Sequence, residues 1–203
     1  AQSYTKSLWP CLEAIDLDGL PRRGDPMHFL VVEDFGTRGL RGDPSQESDV
    51  DTTGPRNDFY YFWRNVGRSS KKETERGRWG LGKTVFPASS QINAFFGLTV
   101  RHDDGHRYLM GQAVLRIHRH GDVKHCPYAY FARADGDFAL PVDDAAVVDR
   151  FSTDFGLKRR DEPGLSIVVP YVREEEITPD EIERAVVTDY FYPILAKQME
   201  VEI

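Results

Sequence analysis

The sequence predicts an α/β fold: a two-layer sandwich in which a mixed, mostly antiparallel sheet carries its helices on one face. Two observations predict it. Short apolar stretches rich in β-branched residues alternate with stretches of helical periodicity, and two of the strands are joined by a tight turn at Asp103–Gly105. The length of 203 residues suits one domain or a closely packed pair.

The composition is that of an ordinary globular protein, with 40% hydrophobic and 29% charged residues. The net charge of -7 argues against nucleic-acid binding over the whole surface, although the basic segment 64–72 leaves a local patch open. Cys11 and Cys126 are far apart, which predicts no disulfide framework and a reducing, cytoplasmic compartment. No apolar run approaches twenty residues, so we expect no membrane association.

In the first half of the chain, residues 3–15 predict a short helix interrupted by Pro10. His28–Asp34 predicts a buried strand whose acidic residues lie only at its C-terminal end, which is where α/β sheets gather their ligands. The aromatic run 59–63 predicts a short helix inside a long, mainly irregular segment, 37–82, of the kind that forms lids or binding loops.

The second half supplies most of the predicted sheet. Thr178–Glu181 forms a capping box that starts a helix reaching about Lys197, and residues 199–203 alternate like a strand. The remaining predicted elements are a helix over 83–95, strands over 97–101, 108–118 and 128–132, a helix over 143–155 and a strand over 164–170.

The stretch from Gly67 to Ala88 is glycine-rich and basic, and it precedes the predicted helix. Glycines let a backbone approach a ligand closely, and a helix start directs free N–H groups and partial positive charge at that ligand. Lys83 and Thr84 add a cation and a hydroxyl. A polyphosphate satisfies this combination best; the alternative is a solvated basic loop.

Two short motifs offer other interpretations, one of this stretch and one of Asp34–Gly36. Gly77–Thr84 matches the P-loop pattern G-x-x-x-x-G-K-S/T, but the polar residues 67–76 cannot supply the buried strand that a P-loop requires. Asp34–Gly36 matches the DFG triplet of protein kinases, yet neither a catalytic loop nor a glycine-rich loop precedes it. We disfavour the first interpretation and discard the second.

A third interpretation uses both segments in order. Val32–Thr37 resembles the D-x-G box of the GHKL (Bergerat-fold) ATPases, and Trp79–Lys83 resembles their G-x-G-L-G box. The segment 67–71 is similar to the Gly-x-Ser-x-Lys lid of the heat-shock-chaperone and microrchidia branch. Gly164–Pro170 is similar to the family's late Gly-Thr strand. The resemblance covers roughly residues 25–172.

The resemblance implies a domain over 1–175 that binds ATP and Mg²⁺, followed at 176–203 by a helix leading to an effector domain. Slow hydrolysis would then drive lid closure and dimerisation or movement of that domain. Asp34 would bind adenine, and the Ser166 hydroxyl would help to hold Asp34 and a water. The ATP-binding residues implied are Asp34, Gly36, Gly39, Ser69, Lys71, Gly77, Gly80, Leu81, Gly82, Lys83, Thr84 and Ser166.

The family's first box, a helix with a catalytic Glu and an Mg²⁺-binding Asn, has no counterpart here. Residues 1–15 contain no Asn, and Glu13 is their only acid. Either that helix lies upstream or the protein lacks it, so catalytic residues are unassigned. The alternatives are a non-catalytic nucleotide sensor or scaffold and a histidine-kinase catalytic domain; a nucleic-acid partner rests on analogy alone.

A metal site is considered and set aside. His118, His120, His125 and Cys126 lie close together in the sequence, but the usual paired-cysteine spacing of a zinc site is missing. An exposed strand end accounts for these residues better. Alternation likewise places Glu33 on the opposite side of its strand from Asp34, which argues against a catalytic role for Glu33.

Overall fold

A computed structural model describes residues 1–48, 56–65 and 82–203. These residues form a mixed α/β fold with a mostly antiparallel sheet. The helices are α1 (Trp9–Ala14), α2 (Asp58–Trp63), α3 (Val85–Ala88), α4 (Ala145–Asp154) and α5 (Pro179–Leu195), with 3₁₀ turns at Gln2–Thr5 and Gly82–Thr84. The strands are β1 (Phe29–Glu33), β2 (Ala94–Val100), β3 (Arg107–Val114), β4 (His118–His120), β5 (Val123–His125), β6 (Tyr128–Phe131), β7 (Arg133–Asp135), β8 (Phe138–Leu140) and β9 (Gly164–Pro170).

Five strands form the central sheet in the order β1-β9-β2-β3-β6, and every pairing between them is antiparallel. The first and last strands along the chain, β1 and β9, are therefore neighbours in the sheet, and Glu33 of β1 pairs with Ser166 of β9. Two short hairpins, β4–β5 and β7–β8, lie outside this sheet. The antiparallel architecture that the sequence predicted is confirmed.

The sheet is covered on both faces. On one face, Phe96 and Val168 pack against Phe151 of α4 and Tyr4 of the N-terminal turn. On the other face, Phe95 packs with residues of α2 and α3. The prediction of helices on a single face is wrong for the described residues. The reason is that every residue of β2 is buried, so each side of this strand needs apolar cover.

Gly97 shows how closely α2 lies on the sheet. The ring of Trp63 lies over the glycine, and a Cβ at Gly97 would come within 2.9 Å of it. The same ring stacks on Phe95 with centroids 5.2 Å apart and an interplanar angle of 5°. The aromatic run of the sequence thus forms a buried helix against the sheet.

The predicted helix over 83–95 is wrong in length. A 3₁₀ turn and the single turn of α3 end at Ala88, and β2 begins at Ala94. The Ser90 hydroxyl donates a hydrogen bond to the Pro170 carbonyl, and Asn93 adopts a positive φ of 51°. These contacts with the end of β9 override the helical periodicity of the sequence.

The termini differ in how well the sequence predicted them. The helix over 3–15 is split, with α1 beginning at Trp9 and Pro10 tolerated in its first turn. The capping box of α5 is confirmed, with the Thr178 side chain and Glu181 bonded reciprocally, although no residue of α5 is buried. Residues 199–203 form no strand.

Among the described residues, no helix combines the length and the apolar character needed to cross a membrane.

Candidate functional site

Asp34 follows the last residue of β1, at an edge of the central sheet. Its backbone N–H donates to the Leu165 carbonyl at 3.0 Å, which extends the strand pairing by one residue. The Leu165 N–H donates in return to Asp34 Oδ1 at 2.5 Å, and the Thr37 hydroxyl donates to the same oxygen at 3.2 Å. The start of β9 thus fixes the orientation of this carboxylate.

A buried arginine, Arg159, forms an ion pair with Asp34. Arg159, whose side chain is 0% exposed, lies in the loop between α4 and β9 and directs its Nη2 at both the carbonyl and Oδ1 of Asp34. Its Nη1 donates to the Glu162 carbonyl at 2.8 Å, and its guanidinium lies 4.8 Å from the centre of the Phe35 ring. Burial lowers the pKa of Arg159, while the charges of Asp34 and Glu33 oppose that shift.

Ser166 contacts Arg159 and Glu33 rather than Asp34. The buried hydroxyl accepts from Arg159 Nε at 2.9 Å and donates to Glu33 Oε1 at 2.7 Å. Glu33 also accepts from the backbone N–H groups of Lys158 and Arg159, at 2.7 and 3.2 Å. Ser166 therefore holds the arginine that holds Asp34, and its described hydrogen bonds do not reach Asp34 itself.

Three glycines make this arrangement possible. Gly36 and Gly39 adopt positive φ angles of 72° and 66° in the turn after Asp34, as the glycine turn of the sequence predicted. Gly164 has a φ of 147°, and a Cβ there would lie 2.5 Å from both Arg159 Nη1 and Asp34 Oδ1. Any side chain at Gly164 would displace the ion pair.

The outer side of the carboxylate is open. The side chain of Asp34 is 48% exposed, and its Oδ2 accepts no hydrogen bond from the described residues. Beside it, Phe35 is 50% exposed and Val32 is 48% exposed. A free, charge-supported acceptor next to exposed apolar surface suits a flat heterocycle that carries an amino group.

Lys83 makes its own set of contacts at the end of α2. Its ammonium donates to the carbonyl oxygens of Tyr61, Phe62 and Asn65 at 2.8, 2.7 and 3.0 Å. A cation there complements the partial negative charge at a helix C-terminus. Burial lowers the pKa of Lys83 to about 8.

The described end of the glycine-rich stretch lies away from Asp34. Gly82, Lys83 and Thr84 form a 3₁₀ turn, and the latter two line a cavity of about 260 Å³ together with Asn93. Asn93 precedes β2, whereas Asp34 lies beside Leu165, which pairs with Thr99. Strand geometry puts these two levels of β2 about 20 Å apart. The predicted residues Ser69, Lys71, Gly77, Gly80 and Leu81 lie outside the described residues.

Sequence reasoning missed the two residues that organise the site. Arg159 lies in a polar loop among other charged residues, and nothing in the local pattern distinguishes it from Lys158 or Arg160. Glu33 was assigned to the face of β1 opposite Asp34. Its contacts with Ser166 and Arg159 show that Glu33 anchors the loop before β9.

Comparisons with known proteins yielded no relative. No protein-family model matches the chain, and neither the curated proteins nor the solved structures contain a match.

Proposed function

We propose that this chain is an ATP-binding domain of the GHKL type in which Asp34 binds the amino group of adenine. The observation that carries the proposal is the state of the Asp34 carboxylate. Oδ1 is held by Leu165, Thr37 and Arg159, while Oδ2 accepts no hydrogen bond within the described part of the chain and would accept one from the ligand. An acceptor fixed in advance loses little entropy when it binds.

The pairing of β1 with β9 supports the same proposal. The D-x-G-like box and the Gly-x-Ser segment were matched separately in the sequence, and the two lie side by side in the sheet, with Glu33 opposite Ser166. Exposed Phe35 and Val32 offer apolar surface to the purine ring beside the carboxylate. Neither motif alone required this juxtaposition.

For the phosphate groups of ATP, the support comes from the sequence motifs alone, because most of the glycine-rich stretch lies outside the described residues. Residues 67–81 of the glycine-rich stretch would bind the phosphate groups and Mg²⁺, with ATP acting as a switch for dimerisation or for movement of a following domain. Lys83 is excluded from this role, because its ammonium already donates to three carbonyl oxygens. Hydrolysis would need a general base, which the resemblance assigns to a Glu/Asn helix with no counterpart in residues 1–15. The proposal for this chain is therefore nucleotide binding, and a non-catalytic sensor is the alternative.

Calorimetric titration with Mg-ATP and Mg-ADP tests the proposal. We expect the wild-type chain to bind, and Asp34→Asn to weaken ATP binding roughly ten- to hundredfold. That range corresponds to losing one hydrogen bond to a charged acceptor, about 1.5–3 kcal/mol.

The matched control is Asp161→Asn, which removes the same charge from an exposed position in the loop that carries Arg159. It should bind ATP like the wild type. Thermal unfolding of both variants separates a local defect from loss of the fold. Equal ATP affinity in wild type and Asp34→Asn would refute the assignment of Asp34.

A further inference from the structure

A second cluster of chemically reactive side chains lies away from Asp34. It consists of Cys11 on α1, His118 on β4 and His125 on β5. Their potential ligand atoms, one from each residue, all lie within 4.8 Å of one another. His118 and His125 face each other across the hairpin, with ring centroids 5.1 Å apart and an interplanar angle of 13°. We call these three residues the Cys-His-His cluster.

His118 is oriented as a metal ligand would be. His118 is only 9% exposed, and its Nδ1 lies 2.9 Å from the Arg116 carbonyl oxygen. A carbonyl accepts only from N–H, so this contact places the proton on Nδ1 and leaves a lone pair on Nε2. Nε2 is buried and has no hydrogen-bond partner among the described residues.

A buried nitrogen without a partner is unusual, because folded proteins satisfy nearly all of their buried polar atoms. Metal-binding histidines characteristically donate their second ring N–H to a carbonyl or carboxylate, which fixes the tautomer. His118 has that hydrogen bond to Arg116, and it leaves Nε2 as the ring nitrogen available to bind an ion at the Cys-His-His cluster. The missing partner and the ligand geometry point to the same occupant.

We propose that Cys11 Sγ, His118 Nε2 and one ring nitrogen of His125 bind a Zn²⁺ ion. One thiolate and two imidazoles are ligands that zinc prefers, and three protein ligands leave a fourth tetrahedral position for water. Tetrahedral ligands at zinc distances lie about 3.3–3.8 Å apart. Cys11 and His125 are only partly buried, so small side-chain rotations suffice to close the cluster from its present spacing.

Zinc binding here replaces the proton of the Cys11 thiol, which is released to solvent. The bound ion would fasten α1 to the β4–β5 hairpin. Each strand of that hairpin has three residues, and isolated hairpins of this kind are marginal in water. The ion would therefore tie the N-terminal segment to a hairpin outside the central sheet. The proposal does not depend on nucleotide binding.

Cobalt substitution provides the test. The reduced chain of residues 1–203 is titrated with Co²⁺ and then with Zn²⁺, and the absorption spectrum is recorded. We expect one Co²⁺ per chain, a thiolate-to-cobalt charge-transfer band, intense tetrahedral d–d bands, and loss of all three features when Zn²⁺ displaces the cobalt. Cys11→Ser should abolish the charge-transfer band and weaken metal binding at least a hundredfold.

Two variants of the same hairpin region serve as matched controls. Cys126→Ser and His120→Ala alter exposed potential ligands outside the cluster, and both should bind cobalt like the wild type. Loss of the charge-transfer band in Cys126→Ser with retention in Cys11→Ser would overturn the proposal, as would the absence of stoichiometric cobalt binding by the wild type.

A second readout keeps the test valid if a ligand variant folds poorly. Excess Zn²⁺ should raise the melting temperature of the wild type and slow amide exchange in α1 and the β4–β5 hairpin, because a ligand of the native state stabilises it. His125→Ala, at a partly buried position, should fold and lose both effects. Equal zinc stabilisation of wild type and His125→Ala would contradict the assignment.

Discussion

Replacing Arg159 by alanine should lower the free energy of unfolding by about 3 kcal/mol, the lower end of the range for breaking a buried ion pair from one side. The buried guanidinium donates to Asp34, Ser166, Leu165 and Glu162. Its removal leaves these acceptors without a donor. We place the effect at the lower end because Asp34 is half exposed and water can reach it.

Urea denaturation of Arg159→Ala measures this change. Arg160→Ala is the matched control, because it removes the same charged group from the next, exposed position and should alter stability by less than about 0.5 kcal/mol. The Arg159 variant should also bind ATP more weakly, since Asp34 would lose its fixed orientation. Equal free energies of unfolding for the two variants would show that the hydrogen bonds of Arg159 contribute nothing to stability.

Gly164→Ala should impair both folding stability and ATP binding. The added Cβ would lie 2.5 Å from Arg159 Nη1 and Asp34 Oδ1, and the backbone φ of 147° is one that residues with side chains rarely adopt. Backbone strain of this kind costs about 1–3 kcal/mol. The collision would also push Asp34 away from the Leu165 N–H, and we expect ATP affinity to fall at least tenfold.

Gly156→Ala separates strain from collision. Gly156 also has a positive φ, of 62°, but no atom lies within 4 Å of the position where its Cβ would be. This variant should lose about 1 kcal/mol of stability and bind ATP normally. If Gly164→Ala bound ATP as well as Gly156→Ala does, the close approach at Gly164 would have no role in orienting Asp34.

Elements with strong local signals were predictable from the sequence. The strand around β1 has a continuous apolar run that ends in acids, and α5 has a complete capping box; both are present where expected. The position of Asp34 at the end of this strand, before a glycine turn, was predictable for the same reason, because a carboxylate at a strand end followed by glycines is a local pattern. The antiparallel character of the sheet followed from the short turn between β2 and β3.

Features that depend on contacts between distant segments could not be predicted. Arg159 is one of several charged residues in its loop, and only its burial against Asp34 and Ser166 distinguishes it. Cys11 joins His118 through the packing of α1 on β4, which no spacing rule encodes. The cover on both faces of the sheet likewise requires knowing that β2 lies at its centre.

The most direct test of the adenine assignment compares Mg-ATP with Mg-ITP on the wild-type chain by calorimetry. Inosine has a carbonyl oxygen where adenine has its amino group, so the base would present an acceptor to Asp34 Oδ2 instead of a donor. We expect ATP to bind at least tenfold more tightly than ITP, because the lost hydrogen bond and the repulsion each favour ATP. Both ligands meet the same folded protein, so stability does not enter the comparison. Equal affinity for ATP and ITP would contradict the claim that Asp34 binds the amino group of adenine.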